Sequence, residues 1–454
     1  MTDFRAADAF LESRLDASLD ELSRLVAQPS VSATGEGIEA CAALVAELLR
    51  ARGFETEVIP TAGAPVVVGE RAGRSEKTLL VYNHYDVQPP EPLELWDSPP
   101  FTPTLRDGKL YGRGVSDDKA HIVSRLHAID ALLATDGELP CRVKFVIEGE
   151  EETSSRHLHG FVREHRDRLK ADACLWEFGA VDHRDGPLQY LGLRGICYVE
   201  LSVETGTLDA HSGLAGSIFP NAAWRLTWAL ASLKGEDERI RIPGWYDDVV
   251  PPTARDRELL AALADPAAEY RARYGIRGFV RGLAGGTDLR IAEVFEPTCT
   301  ICGLTSGYQG AGSKTVLPAR ASAKVDFRLV PDQTPERALS LLRAHLDASG
   351  FADVRVDFLG GEPPARTDPD HPFVKLVVDA AEPVYGARME ITPMIGGSGP
   401  SHPFVHDLGL PVVMAGCGYP GTQAHAPNEN VRVDLYLKHA RHVVRILSAL
   451  GAAR

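Results

Sequence analysis

The chain reads as an α/β protein: a larger domain with a mainly parallel, mixed sheet flanked by helices, interrupted by an inserted α+β domain. Three observations predict this. Short apolar runs of strand length alternate with stretches of helical periodicity before Gly192. The pattern then changes to strands that alternate apolar and polar residues, as half-exposed sheets require. After the connector Gly360-Gly361-Glu362-Pro363-Pro364 the first style resumes. With 454 residues, more than one hydrophobic core usually serves, two domains are expected. The boundaries read as 1–191, 192–364 and 365–454, the first and last forming one domain.

Element by element, residues 5 to 27 place Phe10, Leu11, Leu15, Leu19, Leu22, Leu25 and Val26 at helical spacing. A second helix runs from Gly37 to Arg52 and stops near Gly53. Strands are expected over Glu55–Ile59, Val66–Val68 and the run ending at His84. A helix from about Lys119 to Ala134 leads to a strand over Arg142–Ile147. In the middle of the chain, Ile196–Thr205, Ala321–Val330 and Val354–Leu359 read as strands, with helices over Asn221–Leu233 and Thr334–Ala348. The stretch 236–292 is charge-rich and irregular. Helices over Pro372–Glu382 and Leu435–Leu450 and a strand over Pro411–Ala415 complete the larger domain.

Composition narrows the function classes. Hydrophobic residues make up 44% and charged residues 24%, the balance of an ordinary soluble domain. A formal net charge of −15 excludes nucleic acid and anionic membrane as principal partners. No run approaches the roughly 20 apolar residues of a membrane span. Seven scattered cysteines without framework spacing, and an N-terminus broken by Asp3, Arg5, Asp8 and Glu12, fit a cytoplasmic protein. Cys299-Thr300-Ile301-Cys302 has no second pair and reads as strand cysteines.

The residues that carry chemistry stand at the ends of apolar runs. Leu79-Leu80-Val81-Tyr82 leads into Asn83-His84-Tyr85-Asp86. Imidazole or carboxylate at the tip of a buried strand is costly unless compensated, and a divalent cation is the natural compensation. His84 and Asp86 are two apart in extended chain and share a face, so Asp86 is placed to hold the second nitrogen of His84. Alone, such a pair is commoner as a surface feature. Asp117-Asp118 follows Gly112-Arg113-Gly114 and reads either as a cap for the next helix or as a cation site, one Asp serving each. Glu150-Glu151-Glu152 is a solvated turn or holds a general base; Glu177 ends Ala173-Cys174-Leu175-Trp176, and His425 lies in a loop. Together His84, Asp117, Glu152, Glu177 and His425 are the ligand set of a two-metal hydrolase site.

Several segments in the same order resemble the M20 family of metallopeptidases, most closely its carnosinase-like dipeptidase branch. They are Asn83 to Pro89, Trp96 to Phe101, Asp107 to Lys119, Glu148 to Glu152, Leu193 to Ile196, Asp209-Ala210-His211-Ser212-Gly213 and Gly421 to Asn430. The resemblance implies that Asp117 bridges two divalent ions, zinc foremost with manganese or cobalt as alternatives. His84 and Glu177 would complete one site, Glu152 and His425 the other. Glu151 would be the general base acting on a metal-bridging water, Asp86 would orient His84, and the Asp117-Asp118 peptide would be cis. The inserted domain would be a lid (dimerisation) domain through which a homodimer forms. His211 would reach the partner's site to stabilise the oxyanion, and Arg328, Gly397 and Ser398 would hold a substrate's terminal carboxylate. The implied activity is cleavage of dipeptides or similar small substrates. Glu177 departs from the aspartate of that branch and matches carboxypeptidases and N-acyl-amino-acid amidohydrolases, so a small peptide and an N-acyl amino acid both stand as substrate classes.

Overall fold

Gly73–His84 is the central strand of the larger sheet. Its inner half carries Leu79, Leu80, Val81 and Tyr82, apolar toward both faces and all buried, as a strand covered on both sides requires. It pairs in parallel with Leu139–Glu148 on one side and Ala173–Trp176 on the other, and Val412–Met414 extends the parallel part. Val66–Arg71 and Glu55–Ile59 continue the far edge antiparallel. The sheet is therefore mixed but mainly parallel, with Gly73–His84 and its two neighbours at its centre. The structure, a computed structural model, describes residues 2–453.

The chain divides into two compact units. The first comprises the described residues up to Gly192, Arg366–Pro393 and those from Pro400 onward; the second comprises Leu193–Ala365 and Met394–Gly399. In the first, the helices Ile38–Ala51, Ala120–Asp136, Pro372–Tyr385 and Val433–Ala452 send their apolar residues into one core with the sheet. The expected helix over 5–27 is two helices, Phe4–Ser13 and Leu15–Ala27, parted at Arg14. Each half buries its own stripe, Ala7 with Leu11 and Leu19 with Leu22, Leu25 and Val26. The periodicity thus runs straight through the break, which is why spacing alone does not reveal it. Helix Ala120–Asp136 is buried nearly all round and stops at Gly137, whose φ of 79° is a left-handed cap that glycine adopts without strain.

The second unit holds a four-stranded antiparallel sheet ordered Thr298–Ser306, Arg320–Leu329, Gly195–Glu204, Arg355–Glu362. The residues expected to form a connector at Gly360 to Glu362 belong to its last strand. One face, with Val199, Leu201, Val325 and Phe327, packs on helices Ala222–Leu233 and Pro335–Ala348. Asn221 and Thr334 cap those helices through side-chain oxygens. The stretch 236–292 contains helices Ala254–Ala262 and Ala267–Tyr274 and most of Gly286–Phe295. Thr253 and Asp256 form a reciprocal capping box there, a local signal that marks one helix start within the charge-rich run. Among the described residues, no helix is long and apolar enough to cross a membrane.

Helix Val433–Ala452 carries His442, fully buried, whose Nε2–H donates to the Val377 carbonyl at 2.9 Å. Burial pushes its pKa down to about 4. An unfolded histidine titrates near ~6.5, so below that pH the unfolded chain binds a proton that the folded one refuses. The contribution is complete above that value and shrinks as pH falls toward 4. Between about pH 7.5 and 5 this one group removes roughly 2 kcal/mol of stability. Urea unfolding of His442→Gln at both pH values should show an acid loss smaller by about that amount. An unchanged loss would reject the assignment.

Candidate metal centre

The carboxyl ends of parallel strands are where ligands bind in open α/β sheets, because the chain leaves each strand there in an irregular loop. Here His84 ends the central strand, and Glu177 directly follows Ala173–Trp176. Leu139–Glu148 runs into a short turn, Glu151–Thr153, that presents Glu151 and Glu152. Asp117 comes from the tight loop before helix Ala120–Asp136, and the Asp117-Asp118 peptide is cis. His425 stands in a loop with φ of 62°.

Asp117 lies between two histidines. Its Oδ1 is 3.0 Å from His84 Nε2, and its Oδ2 is 3.0 Å from His425 Nε2. Glu152 Oε2 is 3.1 Å from His425 Nε2, and Glu177 Oε2 is 4.0 Å from His84 Nε2. Two groups of donor atoms result: His84, Asp118 and Glu177, all buried, and Asp117, Glu152 and His425. Asp118 enters the first group by proximity, yet its oxygens are engaged elsewhere. Oδ1 lies 2.7 Å from His121 Nδ1, and Oδ2 accepts from the His84 N–H and Asn83.

Asp86 reaches His84 by two routes. The His84 Nδ1–H faces the Asp86 backbone carbonyl at 3.0 Å and the Asp86 carboxylate at 3.3 Å. With Nδ1 donating to Asp86, Nε2 donates to Asp117 while the ring is protonated, and the neutral ring would offer its Nε2 lone pair to a cation in that place. The same carboxylate accepts the N–H groups of Glu151 and Glu152 at 3.2 and 3.1 Å, so it also fixes the turn that carries them.

The electrostatics fit a cation. Burial pushes the carboxyl groups of Glu151 and Glu177 well above the usual range, and Glu152 upward too, with neighbouring carboxylates adding to each shift. Burial opposes charge on Asp117 as well, but hydrogen bonds to His425 and His84 outweigh it and hold its carboxyl low. Hydrogen bonds to Asp117 and Glu152 raise His425 to about 10. Glu152 Oε1 and Glu177 Oε2 are buried with no hydrogen-bond partner. Orphaned carboxylate oxygens are expensive without a cation, and His with Asp and Glu is a donor set that divalent ions accept.

The remaining candidates lie in the second unit. Arg328 Nη1 donates to the Ser398 hydroxyl at 2.8 Å, and the Gly397 carbonyl accepts the Arg194 N–H at 2.9 Å. Asp326 lies on the same strand face, 3.5 Å from Arg328 Nε. His211 is exposed at the start of a short helix, its Nδ1 accepting the Gly213 N–H at 3.1 Å.

Residues 80–449 match the model of peptidase family M20/M25/M40, most of the chain, and the chain is an enzyme of that family. A solved M20 family metallo-carboxypeptidase from Sulfolobus solfataricus superposes with a TM-score of 0.91 at 36% identity, over 96% of this chain and 99% of that one. The Cys-Gly metallodipeptidase dug1 of Schizosaccharomyces pombe is 27% identical over 94% of each chain. The rat Beta-Ala-His dipeptidase is 30% identical over 63% of this chain and 58% of its own length. The matched region thus spans a little over half the length of that relative.

Three supporting residues escape a reading of motifs. Arg125, fully buried, donates to the carbonyls of Tyr82, Trp176, Glu177 and Ala415 and to Asn83 Oδ1, tying three strand ends together. Its only signal is an arginine on a helix whose residues are mostly buried. His121 links Asp118 to the Cys417 N–H. Glu429 takes the place of the expected cap by an aspartate. Its buried carboxylate accepts from Arg113 Nη1 at 2.7 Å and from the N–H groups of Gly114, Ser116 and Asp117 at 2.8, 2.9 and 3.0 Å. It lies in a segment, Ala426-Pro427-Asn428-Glu429, where nothing local shows what it holds. Glu429→Gln keeps the shape but removes the charge these four donors share. Denaturant unfolding should show a loss of about 3 kcal/mol; a loss under about 0.5 kcal/mol would reject the role.

Proposed function

We propose that the protein is a two-metal hydrolase that cleaves the amide bond of dipeptides or similar small substrates with a free C-terminal carboxylate. The observation that carries this reading is Asp117, each of whose oxygens stands 3.0 Å from a different histidine. Asp117 would be shared between two ions, with His84 and Glu177 holding one and Glu152 and His425 the other. Divalent ions there, zinc first with manganese or cobalt accepted by the same donors, would supply Lewis acidity and lower the pKa of a bound water.

The chain's own residues supply the rest. Glu151 accepts the proton of the attacking water and returns it to the leaving amine, and a carboxyl whose proton affinity burial has raised suits that task. Asp86 holds both the His84 tautomer and the turn that carries Glu151. Arg328, with Ser398 and Gly397, is assigned to the substrate carboxylate, since a guanidinium fork and a glycine-rich loop suit a planar anion. His211 is assigned to the oxyanion in the partner's site. The inserted domain acts as lid and dimer interface, a role supported by its exposed Leu214, Ile218, Phe219, Trp224 and Trp228. Seven unpaired cysteines suit a reducing compartment such as the cytoplasm.

A second reading, a carboxypeptidase or N-acyl-amino-acid amidohydrolase using the same residues, is favoured by Glu177 and by the likeness to the Sulfolobus enzyme. The two part on the group that lies N-terminal to the scissile bond. Free dipeptides should be hydrolysed faster than their N-acylated counterparts; the reverse preference selects the second reading.

Glu151→Gln should lower kcat by at least about 100-fold while metal content, measured by mass spectrometry, stays that of the wild type. Near-normal turnover in that variant would sink the assignment of the base. Dialysis against a chelator should abolish turnover, and added zinc or manganese should restore it; activity that survives verified metal removal would reject the two-metal reading.

A further inference from the structure

Arg328, assigned above to a substrate's terminal carboxylate, stands on strand Arg320–Leu329 of the second unit. Successive side chains of a strand point to opposite faces. Val325, Phe327 and Leu329 enter the core beneath the sheet, so Asp326 and Arg328 share the other face. Asp326 Oδ2 lies 3.5 Å from Arg328 Nε, and Arg328 Nη1 donates to the Ser398 hydroxyl at 2.8 Å. Among the described residues, nothing engages Arg328 Nη2. The guanidinium is therefore held at two of its nitrogens while the third stays available. Arg194, the other guanidinium nearby, is buried and uses both terminal nitrogens on the Glu293 and Glu296 carbonyls, at 2.8 and 2.7 Å. Burial, with the charge of Arg328 adding to it, lowers the Arg194 pKa to about 10, and Asp326 opposes that fall.

Asp326 is itself poorly satisfied. Its Oδ1 is buried with no hydrogen-bond partner. An unmatched buried oxygen costs stability, and a partly exposed ion pair within one strand returns little. The pair is a weak structural device, but it suits a different task. An arginine already tethered through its guanidinium loses less side-chain freedom when it binds an anion. We propose that Asp326 is a positioning residue: resting on the reading of Arg328 as the carboxylate ligand, it holds the guanidinium through Nε in the orientation that receives the substrate's C-terminal carboxylate. Asp326 itself touches no substrate atom. Two effects of this side chain then have opposite signs. Its negative charge, taken alone, repels an arriving carboxylate, whereas its hold on Nε preorganises the group that receives it. Removing the charge lowers KM if repulsion dominates and raises KM if positioning does.

That opposition supplies the test. The metal-loaded full-length protein is assayed on its preferred substrate, a dipeptide or an N-acyl amino acid, and on the C-terminal amide of the same compound. The ratio of the two kcat/KM values does not depend on the fraction of molecules folded or metal-loaded, because the same molecules act on both. The wild-type ratio should favour the free acid. Asp326→Asn, of nearly the same shape, should lower that ratio by about fivefold or more, through a raised KM for the acid. Asp326→Glu keeps the charge and should recover part of the loss. Arg328→Gln tests the underlying reading separately. A wild-type ratio near one, or an unchanged ratio in Arg328→Gln, overturns that reading and the role of Asp326 with it. A ratio that collapses in Arg328→Gln but is kept or raised in Asp326→Asn overturns the positioning role alone and leaves Arg328 as the carboxylate ligand.

Discussion

Everything in the larger unit is arranged around an unfavourable concentration of negative charge. Asp86, Asp117, Asp118, Glu151, Glu152 and Glu177 converge at the carboxyl ends of parallel strands, three of them buried and three half-buried. Like charges withdrawn from water repel strongly, and burial alone pushes such groups toward their protonated forms. Two histidines close to Asp117 relieve only part of this. The arrangement is coherent as a cation-binding centre and wasteful as anything else, so its cost in stability and its chemistry share one cause.

Holding such a cluster in shape requires a rigid frame whose own polar groups are satisfied. Arg125 provides it on one side by binding the carbonyls at three strand ends, where regular pairing has run out. Glu429 provides it on the other by gathering the N–H groups of the loop that presents Asp117. One buried cation and one buried anion thus fix the two edges of the centre. Most of the candidate ligands are then positioned by strand ends and tight turns, with His425 coming from a loop.

Much of this was legible in the chain. The run Leu79 to Tyr82 announces a doubly covered strand, and its abrupt end at His84 announces a functional tip, because both signals are local. Most of the candidate ligands stand at or just past such ends; each is ordinary alone, and it is as a set that they point to a metal centre. Asp118 could not be separated from Asp117 in the same way. Only the contacts of Asp118 with His121 and Asn83 show that it supports the loop rather than facing the histidines. The break at Arg14 was hidden because the apolar stripe passes through it unchanged. The helices within 236–292 were hidden because their amphipathic patterns are short and crowded with charge.

The sequence by itself determined the alternation of elements, the composition of the core and the chemical types gathered at strand ends. These follow from side-chain periodicity and from the cost of burying charge, both properties of short stretches of chain. Tertiary structure alone decided which oxygen of Asp117 meets which histidine, that Asp86 reaches His84 through its backbone, and that Glu429 holds a loop more than 300 residues away. It likewise brought Ser398 beside Arg328. Such pairings depend on distances between segments remote in sequence, and no local preference of the chain encodes them.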